Sequence, residues 1–264
     1  MITVDFSRLS IRPGHRILDI GCGSGRHTCA AYRQNGVRVI GADKNLQDLQ
    51  AAGERLNLHD RLGEHGGGIW CLTAADIIQI PFVDACFDLV ICSEVLEHIP
   101  DHQQAMGEIV RVLKPGKPLV VSVPRFLPEW ICWTLSDDYF NANQGHLRIY
   151  RKNDLIGRLE QAGTRCRGYH YAHSLHAPYW WLKCLAGPTR TDSAAVNLYH
   201  RLLVWDIMQK PRITGFLEWL LNPLLGKSLV LYLEKNGTRR STPARAAGGL
   251  NLRPTPKRQK YVSG

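Results

Sequence analysis

Residues 16–28, with the sequence RILDIGCGSGRHT, decide the fold of this chain. The apolar first part of this segment is typical of a buried strand and runs into three alternate glycines, Gly21, Gly23 and Gly25. Glycine adopts positive φ at little cost and lets another molecule approach the backbone closely. A strand, a glycine loop and a helix-forming stretch in this order predict a binding site at their junction. The negative charge of Asp19, just before the loop, favours a cationic ligand over a phosphate.

Strand and helix signals alternate over the first 125 residues, which indicates a parallel sheet covered by helices. The predicted strands of this half are residues 16–20, 37–41, 69–72, 87–92 and 119–123. A helix over residues 151–162 and strands over residues 165–172 and 227–234 follow. The sequence therefore predicts an α/β protein.

Composition is ordinary for a globular domain, apart from the distribution of charge. The formal net charge is +10, but seven of the 33 basic residues lie in residues 236–264, which contain no acid. We expect one domain over residues 1–235 and a disordered basic tail over residues 236–264. Eight scattered cysteines without a CxxC pair favour reduced thiols in a cytoplasmic protein. The sequence starts without the apolar core of a signal peptide, and no uncharged apolar run reaches the ~18–20 residues of a spanning helix.

Acidic residues follow the second and third predicted strands. Asp43 ends the second strand, and a carboxylate there can accept hydrogen bonds from the paired hydroxyls of a sugar. Asp76 follows the third strand. The fourth strand runs into SEVLEHI, residues 93–99, and the tripeptide KPG, residues 114–116, precedes the fifth.

In this order the features resemble class I S-adenosylmethionine (SAM)-dependent methyltransferases, in particular the methyltransferase type 11 and ubiquinone-pathway-like small-molecule families. The resemblance covers residues 16–123 and weakens after residue 175. It implies a Rossmann-like, doubly wound sheet of seven strands, mostly parallel, with a helical insertion before the last strand. It also implies that SAM is bound by Asp19, Gly21, Cys22, Gly23, Gly25, Asp43, Lys44, Asp76, Ile77 and Ser93.

The same resemblance places Glu97, His98 and His146 on the acceptor side as candidate catalytic residues. The string E-x-x-E-H, residues 94–98, is similar to a magnesium-binding motif of ubiquinone-pathway O-methyltransferases, but it also occurs in relatives for which no metal is invoked. Magnesium prefers oxygen ligands and is not favoured here, so the metal is left open. For His98 the alternatives are a general base, a positioning group, or a packing residue. His146 lies in H-x-R-x-Y, and the alternative is an ordinary surface histidine.

An apolar insertion over residues 177–222 contains four of the seven tryptophans. Its helices could form an additional core layer, a lid over a lipophilic acceptor, or a surface that rests on a membrane. In the last case, cationic residues would face anionic lipid: Lys183, Arg190, Arg201, Lys210 and Arg212.

The predicted function is methyl transfer from SAM to a small, lipophilic acceptor (an isoprenoid, a quinone or a lipid-like molecule), in the cytoplasm or peripherally on the inner membrane face. The sequence leaves open whether the methyl group is transferred to an oxygen, a nitrogen or a carbon atom. Nucleic acid is not expected as a partner, because the basic tail lacks interleaved aromatic residues. One alternative is a nucleotide-dependent oxidoreductase, although Arg26 stands where a dinucleotide fingerprint has its third glycine. Another is a non-catalytic, membrane-associated interaction protein with the SAM fold.

Overall fold

The computed structural model describes residues 2–136, 138–139, 146–187, 190, 192–209 and 211–237. The strands are β1 (Arg16–Ile20), β2 (Arg38–Asp43), β3 (Ile69–Ala74), β4 (Leu89–Ser93), β5 (Pro118–Pro124), β6 (Thr164–Ala172) and β7 (Ser228–Lys235). The helices of the described chain include α1 (Arg26–Tyr32), α2 (Leu46–Leu62), α3 (His102–Val112), α4 (Phe126–Leu135), α5 (Lys152–Gln161), α6 (His176–Ala186), α7 (Ala194–Gln209) and α8 (Arg212–Leu225). Helix α4 was not predicted from the sequence.

The seven strands form one sheet in the order β3-β2-β1-β4-β5-β7-β6. Every pair is parallel except those of β7, which runs antiparallel to both β5 and β6. This order confirms the predicted Rossmann-like, doubly wound fold. Because the direction of winding reverses between β1 and β4, the loops after these two strands diverge and leave a crevice at the carboxyl edge of the sheet.

The core lies on both faces of the sheet. Alternate residues of the central strands point to opposite sides, so Leu18 and Val90 belong to one buried cluster while Ile17 and Ile91 belong to the other. Burial on both sides explains why β4 and β5 are almost continuously apolar.

The cap helices, α6, α7 and α8, connect β6 to β7, where the sequence predicts the insertion. Helix α6 packs against α4 and α7. Helix α7 buries Val196 and Leu203, whereas α8 buries Thr214, so most large apolar side chains of α7 and α8 are exposed. This exposure disfavours an additional core layer. None of the helices in the described residues combines the length and apolarity that crossing a bilayer requires.

The predicted basic tail falls largely on residues 238–264, which lie outside the described residues. Two described residues, Asn236 and Gly237, follow β7. The disordered tail therefore stays a prediction.

The glycines before β3 provide a test of how closely this edge of the sheet packs. A Cβ atom at Gly68 would lie 2.0 Å from the carbonyl oxygen of Val37. We expect Gly68→Ala to lower the free energy of unfolding by about 1–3 kcal/mol, because the backbone must shift. Gly107→Ala on α3 is the matched control: its Cβ meets no atom within 4 Å, and alanine should stabilise the helix by roughly 0.5–1 kcal/mol. Denaturant unfolding measures both, and equal stability of the two variants would contradict the close packing.

Candidate active site

The glycine loop after β1 requires backbone conformations that favour glycine. Gly21, Gly23 and Gly25 have φ angles of +70°, +51° and +78°. The N–H of Gly21 donates to the carbonyl oxygen of Ala42 at 2.8 Å, and the N–H of Gly23 donates to Oδ2 of Asp43 at 2.7 Å. The loop is therefore held against the end of β2.

Asp19 is a buried residue of β1, just before this loop. Its side chain is 1% exposed and accepts a hydrogen bond from Oγ1 of Thr28 at 2.6 Å. Burial raises the pKa of Asp19 to about 6. Its direct interaction with the cofactor stays a prediction, and its visible contact joins β1 to α1.

A cavity of about 280 Å³ opens at the carboxyl edge of the sheet. It is lined by Ile20, Gly21, Gly23, Asp43, Lys44, Ala75, Asp76, Ile77, Glu94, Val95, His98 and Ile99. Six of the ten predicted cofactor residues thus share one cavity. The other four, Asp19, Cys22, Gly25 and Ser93, do not line it; the hydroxyl of Ser93 lies 2.7 Å from that of Ser122 instead.

Two of the three acidic side chains that line the cavity, Asp43 and Asp76, are oriented by backbone N–H groups. Asp43 accepts through Oδ1 from the N–H of Asn45 at 2.9 Å, in addition to its bond from the loop. Asp76 accepts from the N–H of Ile78 at 3.2 Å, and Nζ of Lys44 lies 3.4 Å from its other oxygen. Side chains restrained in this way lose less entropy when a ligand binds.

The segment after β4 differs from a regular helix. Glu94 has a φ angle of +56°, and residues Leu96–His98 form a 3₁₀ turn, so residues 94–98 do not share one face of a regular α-helix. Glu97 is nevertheless buried, with 1% of its surface exposed, and its two carboxylate oxygens have no hydrogen-bond partner in the described part of the chain. Burial, together with the nearby Glu94 and Glu129, raises the pKa of Glu97 well above its usual range.

The structure brings His98 and His146 together. Their ring centroids are 4.7 Å apart, and His98 also lines the cavity. Nδ1 of His146 lies 2.7 Å from Oε1 of Glu129, a buried residue of α4. Sequence reasoning missed Glu129, although an acid within the otherwise apolar stretch FLPEWICW is a signal that could have indicated it.

The loop that carries His146 is fixed to the 3₁₀ turn by hydrogen bonds. The guanidinium of Arg148 donates to the carbonyl oxygens of Leu96 and Ile99. The N–H of Leu147 donates to the carbonyl oxygen of Glu97 at 2.9 Å. These bonds explain why two histidines far apart in sequence share one site.

Glu97, His98 and His146 could also hold a divalent cation. One ligand atom from each side chain lies within 4.8 Å of the others. The buried carboxylate of Glu97 has no hydrogen-bond partner among the described residues, and Nε2 of His98 lies 3.8 Å from its Oε1, so a positive charge fits beside it. One carboxylate and two imidazoles suit a transition metal better than magnesium.

The fold is that of the class I SAM-dependent methyltransferases. Residues 18–121 match the model of a family described as a methyltransferase domain. Over these residues the chain is therefore similar to a methyltransferase domain.

Individual relatives agree with this class. The chain is 33% identical to the methyltransferase GfsG of Streptomyces halstedii over 44% of this chain and 40% of that protein. It is 26% identical to a sterol 24-C-methyltransferase of Pneumocystis carinii over 87% of this chain and 58% of that protein. Its fold resembles a solved methyltransferase structure from Bacillus halodurans with a TM-score of 0.58 and 18% identity, covering 88% of this chain and 96% of the other. The chain thus spans less than two thirds of the length of these two sequence relatives.

Asp43 provides the direct test of the cofactor site. We expect Asp43→Ala to weaken SAM binding at least about tenfold, because hydrogen bonds from the ribose to a charged acceptor are lost together with the bond that orients Gly23. Isothermal titration calorimetry measures this affinity. Glu54→Ala, on the exposed side of α2, is the control and should bind SAM normally. An unchanged affinity in folded Asp43→Ala would refute the assignment.

Proposed function

We propose that this protein transfers a methyl group from SAM to a small, lipophilic acceptor such as an isoprenoid, a quinone or a lipid-like molecule. The continuity of the cavity is the observation that carries this proposal. Gly23, Asp43, Glu94 and His98 line this one cavity, and the ring of His98 lies 4.7 Å from that of His146. A donor and an acceptor that occupy this space would meet in front of the two histidines.

In this arrangement the carboxylate of Asp43 binds the ribose hydroxyls, and Asp76 with Ile77 binds the adenine. The glycine loop, next to the buried Asp19, would hold the amino-acid end of SAM. Glu94 and His98 would then line the space beside its methyl-bearing sulfonium. This orientation uses the side chains whose positions are already restrained by backbone hydrogen bonds.

The chemistry requires alignment and, for a hydroxyl or an acidic carbon, removal of a proton. The sulfonium is itself a good leaving group, so the protein need not activate it. The short contact between Nδ1 of His146 and Glu129 favours a proton on Nδ1, which leaves Nε2 able to accept one. His98, between His146 and the cavity, can accept the proton directly or position the acceptor.

A divalent cation on Glu97, His98 and His146 is a second way of activating the acceptor. Such an ion would act as a Lewis acid that lowers the pKa of a bound hydroxyl. Of the three side chains, His98 lines the cavity, so an ion that they hold would lie beside it. Metal dependence of turnover distinguishes this arrangement from a histidine base.

Two observations support a lipophilic acceptor. One sequence relative is named a sterol 24-C-methyltransferase, and the alignment to it covers most of this chain. The cap helices also supply a large apolar surface next to the body of the domain. A nucleotide-dependent oxidoreductase is disfavoured, because the glycine loop lacks the third glycine of that fingerprint and the domain matches a methyltransferase model.

His98→Ala and His146→Ala test the acceptor side. If the histidines remove the proton, each substitution should slow turnover by ~10²–10⁴-fold. SAM affinity should change much less, because the ribose and adenine contacts remain. The assay uses isotopically labelled SAM with sterol, quinone and isoprenoid extracts. His65→Ala, at an exposed ring stacked on Tyr32, is the control.

Two outcomes of this assay would count against the proposal. Unimpaired turnover in both variants would remove their catalytic role. Normal SAM binding by the unaltered protein without any labelled product would favour a non-catalytic role instead.

We further propose that the cap helices rest peripherally on an anionic membrane surface, on the inner face of the membrane. Residues exposed on α7 and α8 include Trp205, Met208, Phe216 and Trp219, of which Trp219 is 71% exposed and Met208 73%. Tryptophan suits the headgroup region, where one part of the ring system is apolar and the other polar. Exposed Arg201 and Arg212 supply positive charge on the same two helices. Lys210, also predicted to face lipid, lies outside the described residues.

Flotation with vesicles tests this contact. The protein should float with phosphatidylglycerol vesicles at low salt and less with phosphatidylcholine, because anionic headgroups add electrostatic attraction. Phe216→Ser with Trp219→Ser should abolish flotation. Leu62→Ser, at an exposed leucine of α2, is the matched control and should float normally. Protein that remains at the bottom under all conditions would refute membrane contact.

A further inference from the structure

A second cluster of potential ligands lies under the cap, outside the cofactor cavity. His173 follows β6, His176 is the first residue of α6, and Glu218 lies in the middle of α8. One ligand atom from each side chain lies within 4.8 Å of the others. The cluster thus brings Glu218 to two histidines that precede it by more than 40 residues in the sequence.

The facing polar atoms of this cluster lack partners. Nε2 of His173, Nδ1 of His176 and Oε1 of Glu218 are buried without a hydrogen-bond partner in the described residues. Buried polar groups in folded proteins are normally satisfied, so three unpartnered polar atoms in one cluster of side chains indicate a shared ligand. Burial lowers the pKa of His173 to about 3 and that of His176 to about 4, so both rings are neutral at physiological pH.

The local backbone holds the cluster in place. His173 has a φ angle of +65°, a conformation that is uncommon outside glycine. The next residue, Ser174, donates its N–H to Oδ1 of Asn222 at 3.0 Å and its hydroxyl to the carbonyl oxygen of Glu218 at 3.5 Å. The turn that carries His173 is therefore fixed to the helix that carries Glu218.

A cavity gives a ligand access to this point. Its volume is about 430 Å³, and it is lined by Ile2, His173, His176, Asp206, Ile207, Pro211, Thr214, Gly215 and Glu218. Asp206 of α7 adds a second carboxylate to the same cavity. This cavity shares no lining residue with the cofactor cavity.

We propose that His173, His176 and Glu218 form a binding site for a divalent transition metal ion, with zinc as the best fit. Two imidazoles and one carboxylate are a common zinc donor set, whereas magnesium and calcium select oxygen ligands. Zinc bonds of about 2.0–2.1 Å require small inward rotations of the three side chains. A water molecule from the cavity would complete the coordination.

The position of the site assigns the ion a structural role in the cap. Bound metal would connect α8 to the end of β6 and the start of α6, and so hold the exposed apolar helix against the body. The inference does not rest on the methyltransferase activity, because none of its three ligands contacts the cofactor cavity.

Metal titration of the full chain tests the proposal. The unaltered protein, stripped of metal and kept reduced, is titrated with Zn²⁺ and with Co²⁺. A His98→Ala/His146→Ala background removes the other candidate cluster. In this background we expect one equivalent of metal, a rise in melting temperature with Zn²⁺, and a Co²⁺ spectrum without a thiolate charge-transfer band.

Three ligand variants and one control complete the design. In that background His173→Gly, His176→Ala and Glu218→Gln should each weaken metal binding by at least about tenfold. A loss of about this size follows even when only a residue that hydrogen-bonds to a metal ligand is replaced. Glycine at position 173 accepts the positive φ without strain. Glu218→Gln keeps the side-chain volume, so it remains informative if a histidine variant fails to fold. His200→Ala, an exposed histidine of α7, should bind normally.

The results that overturn the proposal are equally definite. Absence of stoichiometric binding in the His98→Ala/His146→Ala background would exclude the site. Binding that persists unchanged in Glu218→Gln and in the folded histidine variants would place the metal elsewhere. A thiolate charge-transfer band would assign it to the cysteines.

Discussion

The hydrogen bond from the N–H of Gly23 to the carboxylate of Asp43 is the interaction on which the cofactor site depends. It joins the loop after β1 to the end of β2 at 2.7 Å and orients an acidic side chain toward the crevice. The loop can take this position because Gly23 adopts a positive φ. Gly21 contributes by having no side chain, since a Cβ atom there would lie 2.3 Å from Val95. The crevice itself exists because the winding of the sheet reverses between β1 and β4.

The acceptor side is built by a different principle. Its side chains come from three segments: the irregular segment after β4, the loop before α5, and α4. These three segments are separated from one another in the sequence. Hydrogen bonds from Arg148 and Leu147 to the backbone of the 3₁₀ turn bring these segments together. The result is a buried concentration of carboxylates and imidazoles, in which Glu97 has no hydrogen-bond partner among the described residues. Desolvation there makes charge costly, and this is the environment in which protons or cations are held at functional sites.

The cap distributes its polar and apolar groups unequally. Its inner side contains the converging atoms of His173, His176 and Glu218, whereas its outer side exposes large apolar side chains. Apolar exposure on this scale is unusual for the surface of a soluble domain and indicates an interaction surface. An anchoring contact beneath such a surface would keep the helices in place while their outer face remains available.

Local patterns in the sequence determined the strands, the glycine loop and the acids at the ends of β2 and β3, because strand periodicity, glycine conformations and strand-end positions are properties of short segments. The resemblance to SAM-dependent methyltransferases followed from the order of these segments. Only the tertiary structure placed Glu129 beside His146, buried Asp19 against Thr28, and assembled His173, His176 and Glu218. These contacts join residues far apart in the chain, and the packing of α4, α6 and α8 that creates them leaves no periodic signal in the sequence.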